Sequence, residues 1–216
     1  HYYNFGSSHG VGDSLFIKAD SLRFTQVSET DTTRIMRAFH RVRMYKSDMQ
    51  AICDSLVYRE ADSLFILFRD PILWADTSQF TADTIEMRLR NKQLDVINLK
   101  QSAFIVNTTD EVFFNQIKGR TIQAHLTDNE LERMDIVGNA ETVYYVQDDD
   151  KAYIGVNKAV CSRIRVYFGH NEVERIRMYQ DPSGQMTPMD LFDHEGNKLE
   201  GFIWHEDKRP KNKSEL

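Results

Sequence analysis

The residues of this chain best suited to chemistry are its histidines, two cysteines and one acidic triplet, and their spacing suits neither catalysis nor metal binding. His40 in "AFHRVRMY" and His205 in "IWHED" have no partner at ligand spacing. His125 falls on the polar side of an alternating stretch and reads as solvated. Asp148, Asp149 and Asp150 lack the alternating ligands and closing glutamate of a calcium loop, so they read as a loop tip. Cys53 and Cys161 form no C-x-x-C and no disulfide framework. They stand where related stretches carry a small residue, and read as small buried hydrophobes. There is no H-E-x-x-H, phosphate loop or dinucleotide fingerprint. No carboxylate pair stands out as the two acids of a glycosidase. The expectation is a protein that is not an enzyme and uses no metal or cofactor.

What the chain does repeat is a phrase. "RNKQLDVINL", "TDNELERMDI" and "GHNEVERIRM" follow one another at a spacing near 40 residues. Their flanks keep register: Ile85 aligns with Ile122 and Ile164, Leu89 with Leu126 and Phe168, and Ala124 with Val166. A fixed period of this size governs the fold. Within it, "TIQAHL" sets Ile122, Ala124 and Leu126 against Thr121, Gln123 and His125, and "RIRVYF" sets Ile164, Val166 and Phe168 against Arg163, Arg165 and Tyr167. That is period two, the pattern of a half-buried strand. The breaks "RNKQ", "TDNE" and "GHNE" supply Asn and Asp for tight turns. Each repeat therefore reads as a hairpin followed by a further strand, such as "AFIVN" or "AETVYYVQ". A second phrase, at Ala19, Cys53, Ala61, Ala75 and Ala82, joins a small residue to Asp, a hydroxyl residue and apolar alternation; it reads as the start of a strand. No stretch carries a sustained helical stripe. The expected class is all-β.

Bulk properties exclude other classes. Apolar residues make up 41% of the 216 residues and charged residues 28%, an ordinary globular balance. The net charge of −6 gives no electrostatic reason to expect nucleic acid. No apolar run approaches the roughly 20 residues of a membrane-spanning helix. The strand array is expected over 12–180. "QDPSGQMTP" then breaks the pattern, leaving 181–216 as an extension with a capping strand near Leu199 to Trp204 and a frayed, charged tail.

Several phrases together carry a resemblance: "ADSLRF", "RAFHRVRMYKSDMQAICDSLVY", "DPILWADTSQFTADTIEM", "FNQIKGRTIQA", "VGNAETVYY" and the C-terminal Leu199, Gly201, Phe202, Trp204, Arg209 and Pro210. In this order, over nearly the whole chain, they resemble the OstA-like family of periplasmic lipopolysaccharide-transport proteins, related to LptA and to the N-terminal domain of LptD, in its Bacteroidetes-type branch. One departure is that Arg69 and Asp70, rather than Gly-Asn, precede Pro71 and Trp74. The resemblance implies a V-shaped β-jelly roll of many short antiparallel strands. It also implies a periplasmic location with any signal peptide removed, and a role in shielding lipid A acyl chains in an apolar trough.

On that reading Ile85, Leu89, Ile122, Ala124, Leu126, Ile164, Val166 and Phe168 line the trough. The partners are lipopolysaccharide and other lipopolysaccharide-transport proteins joined by strand addition, with head-to-tail self-association through the terminal strands. Alternation alone implies instead that the apolar faces bury each other in a closed core, as in a structural β-solenoid or adhesin-like module. A carbohydrate-active jelly roll is a third reading. It requires Tyr144, Tyr145, Tyr153 and Tyr167 to gather on one face beside paired carboxylates.

Overall fold

A computed structural model describes residues 2–5, 14–26, 33–91, 93–128, 130–169 and 172–216. The alternating stretches are strands: β1 (Tyr2–Phe5), β2 (Leu15–Lys18), β3 (Ser21–Gln26), β4 (Arg34–Lys46), β5 (Met49–Arg59), β6 (Leu64–Phe68), β7 (Ile72–Ala75), β8 (Ser78–Thr81), β9 (Thr84–Arg90), β10 (Gln93–Asn107), β11 (Asn115–Thr127), β12 (Glu130–Gln147), β13 (Tyr153–Gly169), β14 (Glu172–Tyr179) and β15 (Ser183–Pro188). Among the described residues the only helical pieces are three single 3-10 turns, all after residue 188. Every pairing is antiparallel, in the order β1-β2-β4-β5-β6-β9-β10-β11-β12-β13-β14, with β3 on β4, β7 on β5 and β8, β8 on β10, and β15 on β13. Asn91 and Asp128 take left-handed backbone in two of the expected turns, at φ 52 and 53. The third turn, at His170 and Asn171, lies outside the described residues.

A line of bulges divides the sheet. His40–Arg41, Arg69–Asp70, Gln101–Ser102, Gly138–Asn139 and Gln180–Asp181 are consecutive pairs in the left-handed region. Each pair sits opposite a single residue on the neighbouring strand. Asp20 N donates to His40 O at 3.1 Å, Asp54 N to Arg69 O at 3.4 Å, Asp83 N to Gln101 O at 3.1 Å and Ser162 N to Gln180 O at 3.4 Å. The ladders skip there, between Phe39 and Val42, Lys100 and Ala103, and Val137 and Ala140. Two residues facing one is the geometry of a β-bulge, which bends a strand. Left-handed backbone costs roughly 1 kcal/mol or more for each non-glycine residue, so packing on either side of the line must offset it. Arg69–Asp70 adopts the same conformation as Gly138–Asn139, so the departure from Gly-Asn leaves this turn intact.

The line explains two corrections. "AFIVN" and "AETVYYVQ" are not further strands; they continue β10 and β12 past the bulge. The small-residue phrase does not mark strand starts generally. Cys53 lies within β5, while Ala61 and Ala75 stand at hairpin turns. Its Ala19, Cys53 and Ala82 copies, joined by Gly119 and Cys161, instead occupy the buried position just before the fold line. Little room exists there: a Cβ on Gly119 would come 2.6 Å from Ile136 Cγ2.

One continuous core draws on both sides of the line. Ile17, Met44, Ala51, Leu73, Phe80 and Ile105 on one side share it with Leu56, Leu67, Ile85, Leu99, Ile122 and Ile164 on the other. Counted half by half, β5, β6, β9, β10, β8 and β7 close a ring, because β5 and β10 run through the line while β6–β7 and β8–β9 are interrupted at it.

The C-terminal segment was expected to fray and does not. It also forms no strand at Leu199 to Trp204 and caps no sheet end. It runs as a strap over the outer face of the sheet half that contains β7 and β8. Leu199, Phe202 and Trp204 pack there with Phe104, Val106, Val143 and Val156. Three buried glutamines on alternate strands hold it, two by its backbone and one by a side chain. Gln116 Oε1 accepts from Leu199 N at 2.8 Å, Gln79 donates to Ile203 O and accepts from His205 N, both at 2.7 Å, and Gln50 Oε1 accepts from Arg209 Nε at 2.7 Å. Leu216 is 4% exposed at the far end.

Candidate functional site

The eight residues expected to line a trough lie on one face of the sheet, at three depths. Ile85, Ile122 and Ile164 occupy the row nearest the fold line, joined by Leu99 and Ile136 in direct register. Ala124 and Val166 occupy the next row, joined by Met134 and continued through Ile97, Met87 and Phe65. Leu89, Leu126 and Phe168 stand at the hairpin tips, paired with Leu94, Leu131 and Val173. The deep and middle residues are 0 to 4% exposed, and the tip residues are half-buried. The deep row runs from Leu22 to Met178 across ten strands, about 43 Å at about 4.8 Å per strand.

Sequence reasoning missed Phe65, Leu67, Met87, Ile97 and Met134 as members of this face. Alternation from the neighbours already chosen could have found them. The deep row is wholly apolar, and Tyr58, beside Phe65, is the one titratable side chain of the middle row among the described residues; burial pushes its pKa up, so the face can exclude water and hold apolar matter. The polar side of the same strands is separate: Gln123 is exposed and donates to Asn98 Oδ1 at 2.7 Å. His125 is on that side too, where burial and the nearby Arg133 push its pKa down.

No family model matches the chain, and no curated protein does. Among solved structures it is similar to the crystal structure of LptH, described as the LptA homologous periplasmic component of the conserved lipopolysaccharide transport device from Pseudomonas aeruginosa. The identity is 14% and the TM-score 0.49, with 65% of this chain and 97% of that chain covered.

The tyrosines needed for a carbohydrate platform do not gather. Tyr145 is 6% exposed beneath the strap, where its hydroxyl meets His194 Nδ1 at 3.1 Å. Tyr153 is beside it and donates to Asp110 Oδ2 at 2.8 Å. Tyr167 lies on the outer face of the other half, under Arg175. The acidic triplet forms a turn in which Asp148 Oδ1 accepts from Asp150 N and Ala152 N at 3.0 and 2.9 Å. Among the described residues no group of three His, Cys, Asp or Glu side chains could hold a metal ion.

Both cysteines are free and buried. They sit in the fold-line row six strands apart, about 29 Å measured along the sheet at the usual spacing, where a disulfide spans roughly 7 Å. Burial pushes the Cys53 thiol up to about 12. A thiol-reactive dye is therefore expected to label neither cysteine in the native protein and both after denaturation, without prior reduction. A mass two hydrogens lighter than the reduced chain would contradict the strand register.

Proposed function

We propose that this protein is a non-enzymatic carrier of lipopolysaccharide in the periplasm, a bridge component in transport to the outer membrane. On this reading the sheet is a V-shaped β-jelly roll, folded along its line of bulges. Its two apolar inner faces shield lipid A acyl chains, with Ile85, Ile122 and Ile164 deepest and Leu89, Leu126 and Phe168 at the mouth. The observation that carries it is the fold line itself. Five left-handed pairs on alternate strands turn one sheet upon itself and leave continuous apolar rows facing inward. The motif resemblance supports it independently. Each buried CH₂ contributes about 0.8 kcal/mol, enough for reversible hand-over without covalent chemistry. Among the described residues the sheet ends in β1 and β3 on one side and β14 and β15 on the other, each paired along one edge. Those ends suit head-to-tail addition of further copies or of other transport proteins.

A second reading, an interaction module with a closed core, is favoured by the near-complete burial of Ile85, Ile122 and Ile164. Photocrosslinking in cells separates the two. A benzophenone side chain at half-buried Phe168, or at Ala124, is expected to crosslink to lipopolysaccharide, and the same probe at exposed Gln123 is not. Phe168 tolerates the bulk if Ala124 does not. Equal labelling at Phe168 and Gln123, or none at Phe168 in a folded protein, favours the closed core.

A further inference from the structure

The outer face of β12, β13 and β14 carries a compact grid of arginines. In register across these strands stand Arg133, Tyr167 and Arg175, then Asp135, Arg165 and Arg177, then Val137, Arg163 and Tyr179. Asp135, the sole carboxylate in the grid, engages Arg133 at 3.2 Å, Arg163 at 2.8 Å and Arg165 at 2.7 Å. Arg175 and Arg177 are exposed and lie 4.2 and 5.7 Å from the Tyr167 ring. Glu132 and Glu174 sit beyond the grid, at bulges near the hairpin tips. A surplus of guanidinium on a chain of net charge −6 means that charge is segregated. The other end of β12 and β13 is acidic, with Asp148, Asp149 and Asp150 in their connecting loop and Asp190, Asp193 and Glu195 in the segment that leads into the strap.

From this arrangement we infer that the outer face of β12–β14 docks on a membrane leaflet that carries anionic phosphate headgroups. Guanidinium is the side chain best matched to phosphate oxygens. The grid is two-dimensional, with about 4.8 Å between strands and about 6.8 Å between alternate residues along each strand. A plane of phosphates meets all of it at once, whereas an extended acidic peptide would cover a single row. Tyr167 and Tyr179 add amphipathic rings of the kind that settle at headgroup depth. The acidic end of the same strands then points away from the leaflet, which fixes orientation as well as attachment. The inference is independent of what the inner face binds.

Flotation with vesicles tests it. The wild-type protein is expected to float with phosphatidylcholine vesicles that contain phosphatidylglycerol, to stay behind with phosphatidylcholine alone, and to be released by added salt. Arg175→Gln combined with Arg177→Gln removes cations that do not touch Asp135, so folding is kept, as circular dichroism checks. Loss of about fivefold per guanidinium predicts about 25-fold weaker binding. Arg23→Gln combined with Arg37→Gln, on the same outer face at the opposite sheet end, is expected to bind as wild type does. Equal flotation with both vesicle types, equal loss in the two double variants, or no loss in the first overturns the proposal. So does a wild-type protein that ignores anionic vesicles yet binds polyglutamate.

Discussion

Truncation after Lys198 is expected to remove most or all of the protein's stability, although no strand is lost. The deleted strap is what keeps Phe104, Val106, Val143 and Val156 from water on the outer sheet face. Exposing a buried side chain of this size costs about 1.5 to 3 kcal/mol, so the loss is on the order of 10 kcal/mol, comparable with the whole stability of a typical domain. The truncated chain should accumulate as aggregates or bind a hydrophobic dye strongly. A folded monomer with an unchanged urea midpoint would mean that the strap merely decorates the sheet. Gln79→Leu is the graded version. It strands Ile203 O and His205 N, groups now bonded at 2.7 Å, at a cost of about 1 to 3 kcal/mol.

Asp135→Ala is expected to be the most damaging single substitution on the opposite face. Asp135 is 10% exposed in its side chain and holds three guanidiniums together. Its removal leaves them repelling one another. Loss of one partner from a buried ion cluster costs about 3 to 5 kcal/mol, and solvent access to the arginines reduces this to about 2 to 3 kcal/mol. Burial alone would push the Asp135 carboxyl up, but hydrogen bonds from Arg163 and Arg165 outweigh it and hold the pKa below the ordinary carboxylate value. A carboxyl depressed in the folded state contributes stability that is present above its unfolded pKa, near 3.9, and is lost as pH falls through the folded value. Urea titrations of wild type should therefore weaken below about pH 4, and Asp135→Asn should flatten that part of the profile. Arg165→Ala alone should cost less than Asp135→Ala, because two partners remain.

Strand identity was legible because alternation is local. "TIQAHL" and "RIRVYF" announce which side of each strand is buried, and the three aligned turn phrases announce where hairpins close. Their register then places Ile85, Ile122 and Ile164 in one row. The fold line was not legible, since nothing local distinguishes His40–Arg41 or Gln101–Ser102 as left-handed. Gly138–Asn139 carries two residues that favour it, Arg69–Asp70 and Gln180–Asp181 one Asp each, and the other side chains are held there by core burial on both sides. The strap was misjudged for a related reason. Its composition is that of a solvated tail, and what binds it is a set of glutamines more than 80 residues away. A signal did exist: Gln50, Gln79 and Gln116 each stand three residues before Cys53, Ala82 and Gly119. A polar residue at a fixed offset in these three stretches marks a shared job, and holding the strap, by backbone at Gln79 and Gln116 and by the Arg209 side chain at Gln50, is that job.

That strap also sets an order of events. The ladders from β9 to β14 join neighbours in sequence, so they close short loops and can form one after another. The strap's contacts span far more chain: Arg209 reaches Gln50, and Lys18 and Tyr2 both donate to Leu216 O. None of these acceptors and donors is in place until the sheet between them has zipped through. Docking of the strap is thus expected to come last in folding, on a sheet that already spans from Gln50 to Gln116. A sheet that lacks or gains a hairpin would leave the glutamines out of step with their partners on the strap. A chain whose strap fails to dock is left with Phe104, Val106, Val143 and Val156 uncovered on that flank.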